Sequence, residues 1–457
     1  MVGKKGGFEV QVKKEEVVAA ALPIQEHWLP QSNLDLLLPP VDVGVFFCYK
    51  KPAAASGGGG DSSSSAFGLM VGVLKKALAQ ALVYYYAFSG EIVLNSGGEP
   101  ELLCNDRGVD FTEAFADVRL EDINFYNPDE SIEAKLVPKK KHGVLSVQAT
   151  ELLCGGAVVA CSFDHRVADA YSANMFLVSW AEMAQSKPLS LLPSLRRSIL
   201  SPRRPAGTYH PSIDEMYVPI SALPPPKHRR PAAEHLISRI YYVESGQLNH
   251  LQSLASDSCA GKKRTKLEAF SAFLWKIVAG RETQPDGTCS MGIVVDGRTR
   301  LSTIDGYFGN VLSIPFGKKS AGELRGKDLS WVANAVHEFL EEAVSKEHFL
   351  DLIDWVEAHR PEPGLSRIYA AGGGPAFVVS SGQRFPVGKV DFGWGRPALG
   401  SYHFPWGGDA GYVMPMPSPA GNGDWLVYMH LLEGQLETVE AQAGHVFKPL
   451  TFEYLNH

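Results

Sequence analysis

The chain lacks the signatures of several common chemistries. It contains no G-x-S-x-G elbow, no G-x-x-x-x-G-K-[ST] phosphate loop and no H-E-x-x-H helix. This argues against an α/β-hydrolase, a P-loop nucleotidase and a zincin. Gly393-Trp394-Gly395-Arg396-Pro397-Ala398 formally fits a dinucleotide turn, but Pro397 falls where the helix has to start. Paired cysteines are also lacking. The six cysteines (Cys48, Cys104, Cys154, Cys161, Cys259, Cys289) are scattered and form no C-x-x-C. They read as buried free thiols of a reducing compartment, and the expected location is cytoplasmic. There is no excess of basic charge. A net charge of −7 points away from nucleic acid and anionic membranes. Long apolar runs are missing too: Leu152–Phe163 and Ala77–Phe88 are too short to span a bilayer, and no apolar core follows Lys4-Lys5 to make a signal peptide. No His/Cys/Asp/Glu cluster has metal-ligand spacing, so no metal is expected.

What is present is the composition of an ordinary globular protein, 45% hydrophobic and 20% charged. At 457 residues it implies two domains or one very large one. The chain turns on Ala157–Ala170. An apolar run there reads as a buried strand, ends at Asp164-His165, and is followed by a helical segment from Ala168 to Met183. A histidine held where a strand gives way to a helix suits a rigid general base, although a satisfied core histidine fits the local pattern equally well. Asp169 completes an H-x-x-x-D pattern. His210–Asp214 repeats it in a Pro/Arg-rich stretch with no strand before it, and reads as an accident.

Along the chain, Val10–Val18, Val43–Tyr49, Gly90–Asn95, Pro100–Cys104, Val144–Leu152 and Gly156–Phe163 read as strands. Leu69–Phe88 has helical period, with Val73, Ala77, Leu78, Ala81, Leu82 and Tyr85 on one side. Leu29–Pro40 reads as an anchored loop or short helix, and Ala53–Ser65 as a low-complexity surface loop. Residues 186–235 are rich in Pro, Arg and Ser and read as a crossover, with the basic cluster at 203–230 as a solvated face. The second half restarts with strands at Ile237–Val243, Ser290–Val295, Leu312–Phe316, Pro375–Ser380 and Trp425–Leu432. Its helices are Ser245–Ala255, a segment led by a Thr265/Glu268 capping box, Asp328–Val344 and Gly434–Val446. The organisation is therefore an α/β chain of two domains with mixed sheets: 1–185, carrying His165, a crossover at 186–235, and 236–457.

Five segments in register carry a resemblance. His165-Arg166-Val167-Ala168-Asp169, Tyr307-Phe308-Gly309-Asn310, Asp391-Phe392-Gly393-Trp394-Gly395, Ser32-Asn33-Leu34-Asp35 and Cys104-Asn105-Asp106-Arg107-Gly108-Val109 together resemble the BAHD acyl-CoA transferases of plants, over nearly the whole chain. The resemblance implies the two-domain fold of that family, each domain a mixed sheet flanked by helices, with the active-site channel between them. It implies transfer of an acyl group from coenzyme A to an alcohol or amine. His165 is then the general base, with no covalent enzyme intermediate, because a thioester is already activated. Asp169 becomes structural, pairing with Arg298 or Arg300. Asp391 looks architectural by the same resemblance, with a catalytic role beside His165 kept as the other reading. For coenzyme A, Lys262, Lys263, Arg264, Thr265 and Lys266 stand at a helix N-terminus suited to phosphate. Asp296, Gly297, Ser380, Ser381, Gly382 and Arg384 match segments lining the thioester channel in family members, the Ser380 and Ser381 hydroxyls being candidates to bind the tetrahedral oxygen.

Departures bear on the acceptor. Where the shikimate branch carries Thr-Pro-Ser-x-Tyr, this chain has Val43-Gly44-Val45-Phe46-Phe47, and Gly382 stands where that branch has Trp. Val43, Val45 and Phe47 thus predict an apolar acceptor pocket, with added room near Gly382. A polyol would leave hydroxyls unpaired there at about 1–3 kcal/mol each. Arg367 falls near the position of an acceptor-carboxylate arginine. Gly155–Cys161, Phe176–Glu182 and Gly400–Gly408 bring the resemblance nearest to acyltransferases of coniferyl alcohol. The expected reaction is transfer of an acyl group, acetyl from acetyl-CoA, to coniferyl alcohol or a similar phenylpropanoid alcohol. The alternative is a hydroxycinnamoyl-CoA transferase acting on a shikimate- or quinate-type or other alcohol or amine. Acyl-CoA is a co-substrate rather than a bound cofactor. The expected partners are small molecules only, and the chain is expected to be a monomer. A non-catalytic regulator keeping the fold is disfavoured by the intact His165 and Asp391. Chelation should leave the rate unchanged; activity lost to EDTA and restored by a divalent ion would contradict a metal-free site.

Overall fold

The computed structural model describes residues 7–51, 66–205, 208–222, 235–256, 263–282, 284–301, 305–370, 374–406, 408 and 410–455. The expected loop at Ala53–Ser65, Lys262 and much of the basic stretch of the crossover lie outside them.

Two mixed sheets form the frame. The first has six strands in the order Val10–Val18, Val109–Ala116, Leu145–Leu152, Ala157–Asp164, Asp42–Tyr49 and Leu399–His403. Its two inner strands at the histidine end, Ala157–Asp164 and Val43–Tyr49, are buried throughout, as their continuous apolar runs require. Helices Ala66–Tyr84 and Ala170–Ala184 pack together over this sheet, and the Trp180 indole N–H donates to the Leu74 carbonyl at 2.9 Å. Helix Ala66–Tyr84 is long and apolar enough by length and composition to cross a membrane, but Leu74, Ala77, Leu78, Ala81 and Leu82 are buried in the core. Its buried face runs through Met70 and Leu74; Val73, expected on that face, is exposed.

The second sheet has eight strands. The path runs Leu312–Ser313, Thr288–Asp296, Ala376–Ser380, Gly411–Pro417, Trp425–Leu432, Leu236–Val243, Lys448–Pro449, with Phe316–Ser320 also paired to Thr288–Asp296. Helices Ser245–Ala255, Lys266–Ala279, Leu329–Ala343 and Glu433–Ala443 supply apolar faces to its core. The expected strand Leu312–Phe316 is cut in two at Ile314-Pro315, because Pro315 has no N–H for the ladder; both pieces keep one register against the same partner.

The halves do not separate at the expected boundary. Strand Leu399–His403, from the second half, closes the first sheet by pairing antiparallel with Asp42–Tyr49, His403 opposite Gly44. The sequence reading did not assign this strand. Gly44 is required by the crossing, since a Cβ there lies 2.9 Å from the His403 carbonyl oxygen and 2.8 Å from Val137. Gly44→Ala should cost about 1–3 kcal/mol by overpacking. Chemical denaturation measures it, and a variant as stable as the parent would show that the strand junction has slack.

Candidate active site

The turn holding His165 is built by its neighbours. Strand Ala157–Asp164 ends in a buried carboxylate that accepts from the Arg166 backbone N–H at 3.0 Å, its Nε at 2.9 Å and its Nη2 at 2.7 Å. The His165 N–H donates to the Val41 carbonyl at 2.9 Å. Helix Ala170–Ala184 begins five residues on, because Asp169 caps it by accepting from the Ser172 N–H at 2.9 Å. His165 faces a cavity of about 680 Å³ between the two sheets. Its Nδ1 is buried without a partner, which leaves Nε2 as the ring nitrogen open to the cavity. Burial lowers its pKa below the ordinary 6.5, against the opposing pull of its own carbonyl and of Asp169, Asp164 and Asn310. The ring is therefore neutral at physiological pH and can accept a proton at Nε2.

Asp169 is turned away from the histidine ring and is used up by structural bonds. Its oxygens accept from Arg298 Nη1 at 2.7 Å and Nη2 at 3.1 Å, and from the Val311 N–H at 3.1 Å. Arg298 is locked in turn. It donates to the Gly309 carbonyl at 2.8 Å, to Ser172 Oγ at 3.1 Å and to Asp296 at 3.2 Å, and its guanidinium lies 4.2 Å from the Tyr171 ring. Arg300, the other candidate, is exposed on the cavity wall and makes no bond to Asp169 among the described residues. Of these two arginines, Arg298 is the one that braces the turn.

A second brace holds the other side. Asp35 is buried; its Oδ2 accepts from the Ser32 N–H at 2.9 Å and Oγ at 2.7 Å, and its Oδ1 from the Asn310 N–H at 2.8 Å and Nδ2 at 2.9 Å. The same Asn310 Nδ2 donates to the His165 carbonyl at 3.0 Å. Arg197 Nε stands 3.7 Å from Asp35 and supplies the countercharge.

Around His165 the wall is aromatic and aliphatic: Phe404 lies edge-on at 6.1 Å between ring centroids, with Tyr412 and Trp406 beyond it and Val43, Phe163 and Ile314 alongside. Polar side chains also line the cavity, among them Asn174, Asp296, Arg300, Ser380 and Arg384. The Tyr402 hydroxyl donates to Asn174 Oδ1 at 2.8 Å, and burial pushes the Tyr412 hydroxyl up to about 12.

Several expected site residues lie elsewhere. Asp391 is not on the cavity wall; its Oδ1 accepts from the Gly393 N–H at 2.8 Å and the Gly395 N–H at 3.0 Å, in a loop where both glycines have positive φ. The carboxylate closes its own loop, so the catalytic reading fails and the architectural one fits. Lys263, Arg264, Thr265 and Lys266 do not line the cavity either, although Leu267 does. The expected phosphate cradle is filled from within. Thr265 and Glu268 form a reciprocal capping box, and buried Arg264 donates to Asn334 Oδ1 at 3.0 Å. Lys263 is exposed and Lys266 half-buried. Asp296, Ser380, Ser381, Gly382 and Arg384 do line the cavity, whereas Gly297 packs under Phe349. Of the three expected acceptor-pocket residues only Val43 lines it. Val45 and Phe47 continue on the same face, but Tyr402 and Phe385 cover them. The added room near Gly382 is absent as well, because its Cβ direction meets Met416 at 2.8 Å, the Pro415 carbonyl at 2.9 Å and Met414 at 3.0 Å. Arg367 donates to the Asp214 and Tyr217 carbonyls at 2.7 and 3.1 Å and is not on the wall.

The sequence reading missed Asn174, Tyr369, Tyr402, Phe404, Trp406 and Tyr412 as wall residues, and it quoted Asp35 and Asn310 only as motif letters. A lone Asp inside the Leu34–Leu38 run was a signal of a buried, partnered carboxylate.

Comparison with known proteins shows the family and the fold. The profile of the Transferase family matches residues 8–446. The chain is 28% identical to a hydroxycinnamoyltransferase of Narcissus pseudonarcissus over 96% of this chain and 98% of the relative. It is 26% identical to a shikimate O-hydroxycinnamoyltransferase of Nicotiana tabacum over 95% and 99%. In fold it is similar to vinorine synthase, with TM-score 0.70 and 19% identity over 97% and 100% of the two chains. It is also similar to TRI101 of F. graminearum complexed with coenzyme A and T-2 mycotoxin, with TM-score 0.71 and 13% identity over 91% and 98%. The relatives named here are not coniferyl alcohol acyltransferases.

The two arginines near Asp169 make opposite predictions. Arg298→Met leaves a buried carboxylate unpaired and should cost about 3–5 kcal/mol of folding stability. Arg300→Met should stay within about 0.5 kcal/mol of the parent. Equal losses in urea denaturation would contradict the assignment of the brace to Arg298.

Proposed function

The chain belongs to the BAHD transferase family, and from that premise we propose that it moves a hydroxycinnamoyl-type acyl group from its coenzyme A thioester to the hydroxyl or amine of an apolar, aromatic acceptor, with His165 as general base. The observation carrying this reading is a histidine neutral by burial, with Nδ1 enclosed and Nε2 facing an apolar cavity between the two sheets. Acceptor oxygen attacks the thioester carbonyl as Nε2 takes its proton. The tetrahedral intermediate then collapses, the C–S bond breaks, and the same proton passes to the departing thiolate. The product is an ester, or an amide for an amine acceptor, together with free coenzyme A. Ser380 and Ser381, both on the wall, are the hydroxyls proposed to bind the oxyanion.

The donor follows the relatives' names, several of which are hydroxycinnamoyltransferases. Those names specify different acceptors, shikimate in one and 5-hydroxyanthranilate in another, so the acceptor has to be argued from the cavity. Val43, Phe163, Phe404 and Trp406 favour a ring over a polyol. Transfer of acetyl to coniferyl alcohol is the second reading; the same apolar wall accommodates that alcohol, while the acetyl donor rests on resemblance alone.

Free-thiol release across p-coumaroyl-CoA, feruloyl-CoA and acetyl-CoA donors, each with coniferyl alcohol, shikimate, quinate and an aromatic amine, decides between these. Hydroxycinnamoyl donors should outpace acetyl-CoA and the aromatic acceptors should outpace shikimate; the reverse order in either arm refutes that half of the proposal. His165→Ala should lower kcat by about 10²–10⁴-fold. Because folding depresses the His165 pKa, the imidazole stays unprotonated to a lower pH than a free one. The acid limb of kcat/KM should therefore fall below pH 6.5. A limb above that value would point to a different base.

A further inference from the structure

Asn310 has an arrangement that the family reading does not use. Its carboxamide orientation is determined by its surroundings. Nδ2 donates to Asp35 Oδ1 at 2.9 Å and to the His165 carbonyl at 3.0 Å, and turning the amide over would press Oδ1 against those two oxygens. Asp35 is itself held on both oxygens by Ser32 and by the Asn310 backbone. The amide oxygen, Oδ1, is therefore the free end. It is buried and has no hydrogen-bond partner. So is Nδ1 of His165, on the residue whose carbonyl Asn310 already holds. A buried acceptor and a buried ring nitrogen, both unpaired, thus belong to two residues joined by a hydrogen bond. They are complementary if Nδ1 carries the hydrogen, which is the tautomer that leaves the Nε2 lone pair facing the cavity.

We propose that Asn310, anchored by Asp35, is the positioning residue that selects the Nδ1–H tautomer of His165 and aims Nε2 at the acceptor hydroxyl. This rests on the reading of His165 as the base. It gives to an asparagine the orienting task that Asp169, spent on Arg298, cannot perform. Asn310 and the His165 carbonyl are the two uncharged groups that act on the ring proton, and Asn310 Nδ2 holds that carbonyl, so Asn310 governs the ring by both routes. Both Asn310 and the His165 carbonyl push the ring pKa upward, against its burial, as acceptors for that proton do. A neutral amide suits the place, since it fixes the tautomer without adding another buried charge beside Asp35 and Asp169.

The test reads the tautomer directly. Protein labelled with ¹⁵N-histidine reports, through long-range ¹H–¹⁵N correlation, which ring nitrogen of His165 is protonated; His165→Ala identifies the signal. The parent should show protonated Nδ1. Asn310→Ala should shift the signal toward the Nε2–H form, lower kcat on the order of 10²-fold, leave KM for acyl-CoA within about twofold, and move the acid limb of kcat/KM. Asn310→Ser, a milder change, should shift the tautomer in the same direction if the Ala variant does not fold, and Asp35→Asn should weaken the effect through the same amide. A folded Asn310 variant with the parent's tautomer and the parent's acid limb overturns the proposal. So does a parent enzyme with protonated Nε2. If the tautomer shifts as expected but His165→Ala keeps full activity, the positioning role stands and the assignment of the base fails, so the two failures are distinguishable.

Discussion

The bond between Asp169 and Arg298 is the constraint on which the site depends. Two charges with almost no access to water are costly to bury, and their attraction offsets that cost only when every remaining donor and lone pair is also used. Here they are: the carboxylate caps a helix and receives the Val311 N–H, and the guanidinium reaches the Tyr307 and Gly309 carbonyls, Ser172 and Asp296. Helix start, arginine loop and the Tyr307–Asn310 segment are therefore one unit. The histidine turn from the first half and the cavity wall from the second keep a common geometry because the pair ties them together.

Around that unit, the chemistry is set by what burial does to each group. The same low-dielectric surroundings lower the His165 pKa and raise that of the Tyr412 hydroxyl, so the cavity presents a neutral base and protonated hydroxyls. Neutrality suits a reaction that begins and ends on an uncharged imidazole. The paired charges nearest the histidine turn, Asp169–Arg298 and Asp35–Arg197, are bonded to backbone and to one another.

Much of this was legible in the sequence, and for identifiable reasons. Alternation revealed Val10–Val18, a continuous apolar run revealed most of Ala157–Asp164, and a capping box revealed the Thr265/Glu268 helix start, because those signals are local. Strands Leu399–His403 and Gly411–Pro417 escaped, since glycine and proline in them mask the pattern; Pro415 is tolerated where the pairing with Ala376–Ser380 has already ended. Helix Lys346–His359 escaped although Phe349, Leu352, Ile353 and Val356 carry its period. At the site, His165 and the Asp169 brace were readable, but which of two nearby arginines bonds, which glycine has space beside it and which valine is covered depend on contacts between distant segments. Period and spacing do not encode such contacts.

The closing of the first sheet by Leu399–His403 has a consequence for how the chain is made. Synthesis proceeds from the N-terminus, so strand Asp42–Tyr49 waits for a partner that emerges some 350 residues later. Until then one edge of a nearly all-apolar strand, Val43-Gly44-Val45-Phe46-Phe47-Cys48-Tyr49, lies open to other chains. A nascent or truncated protein that ends before residue 399 carries the histidine, both its braces and an unpaired edge prone to aggregation. The strand that brings Tyr402 to the cavity wall is also what removes this hazard, so the completed active site and a soluble chain arrive together.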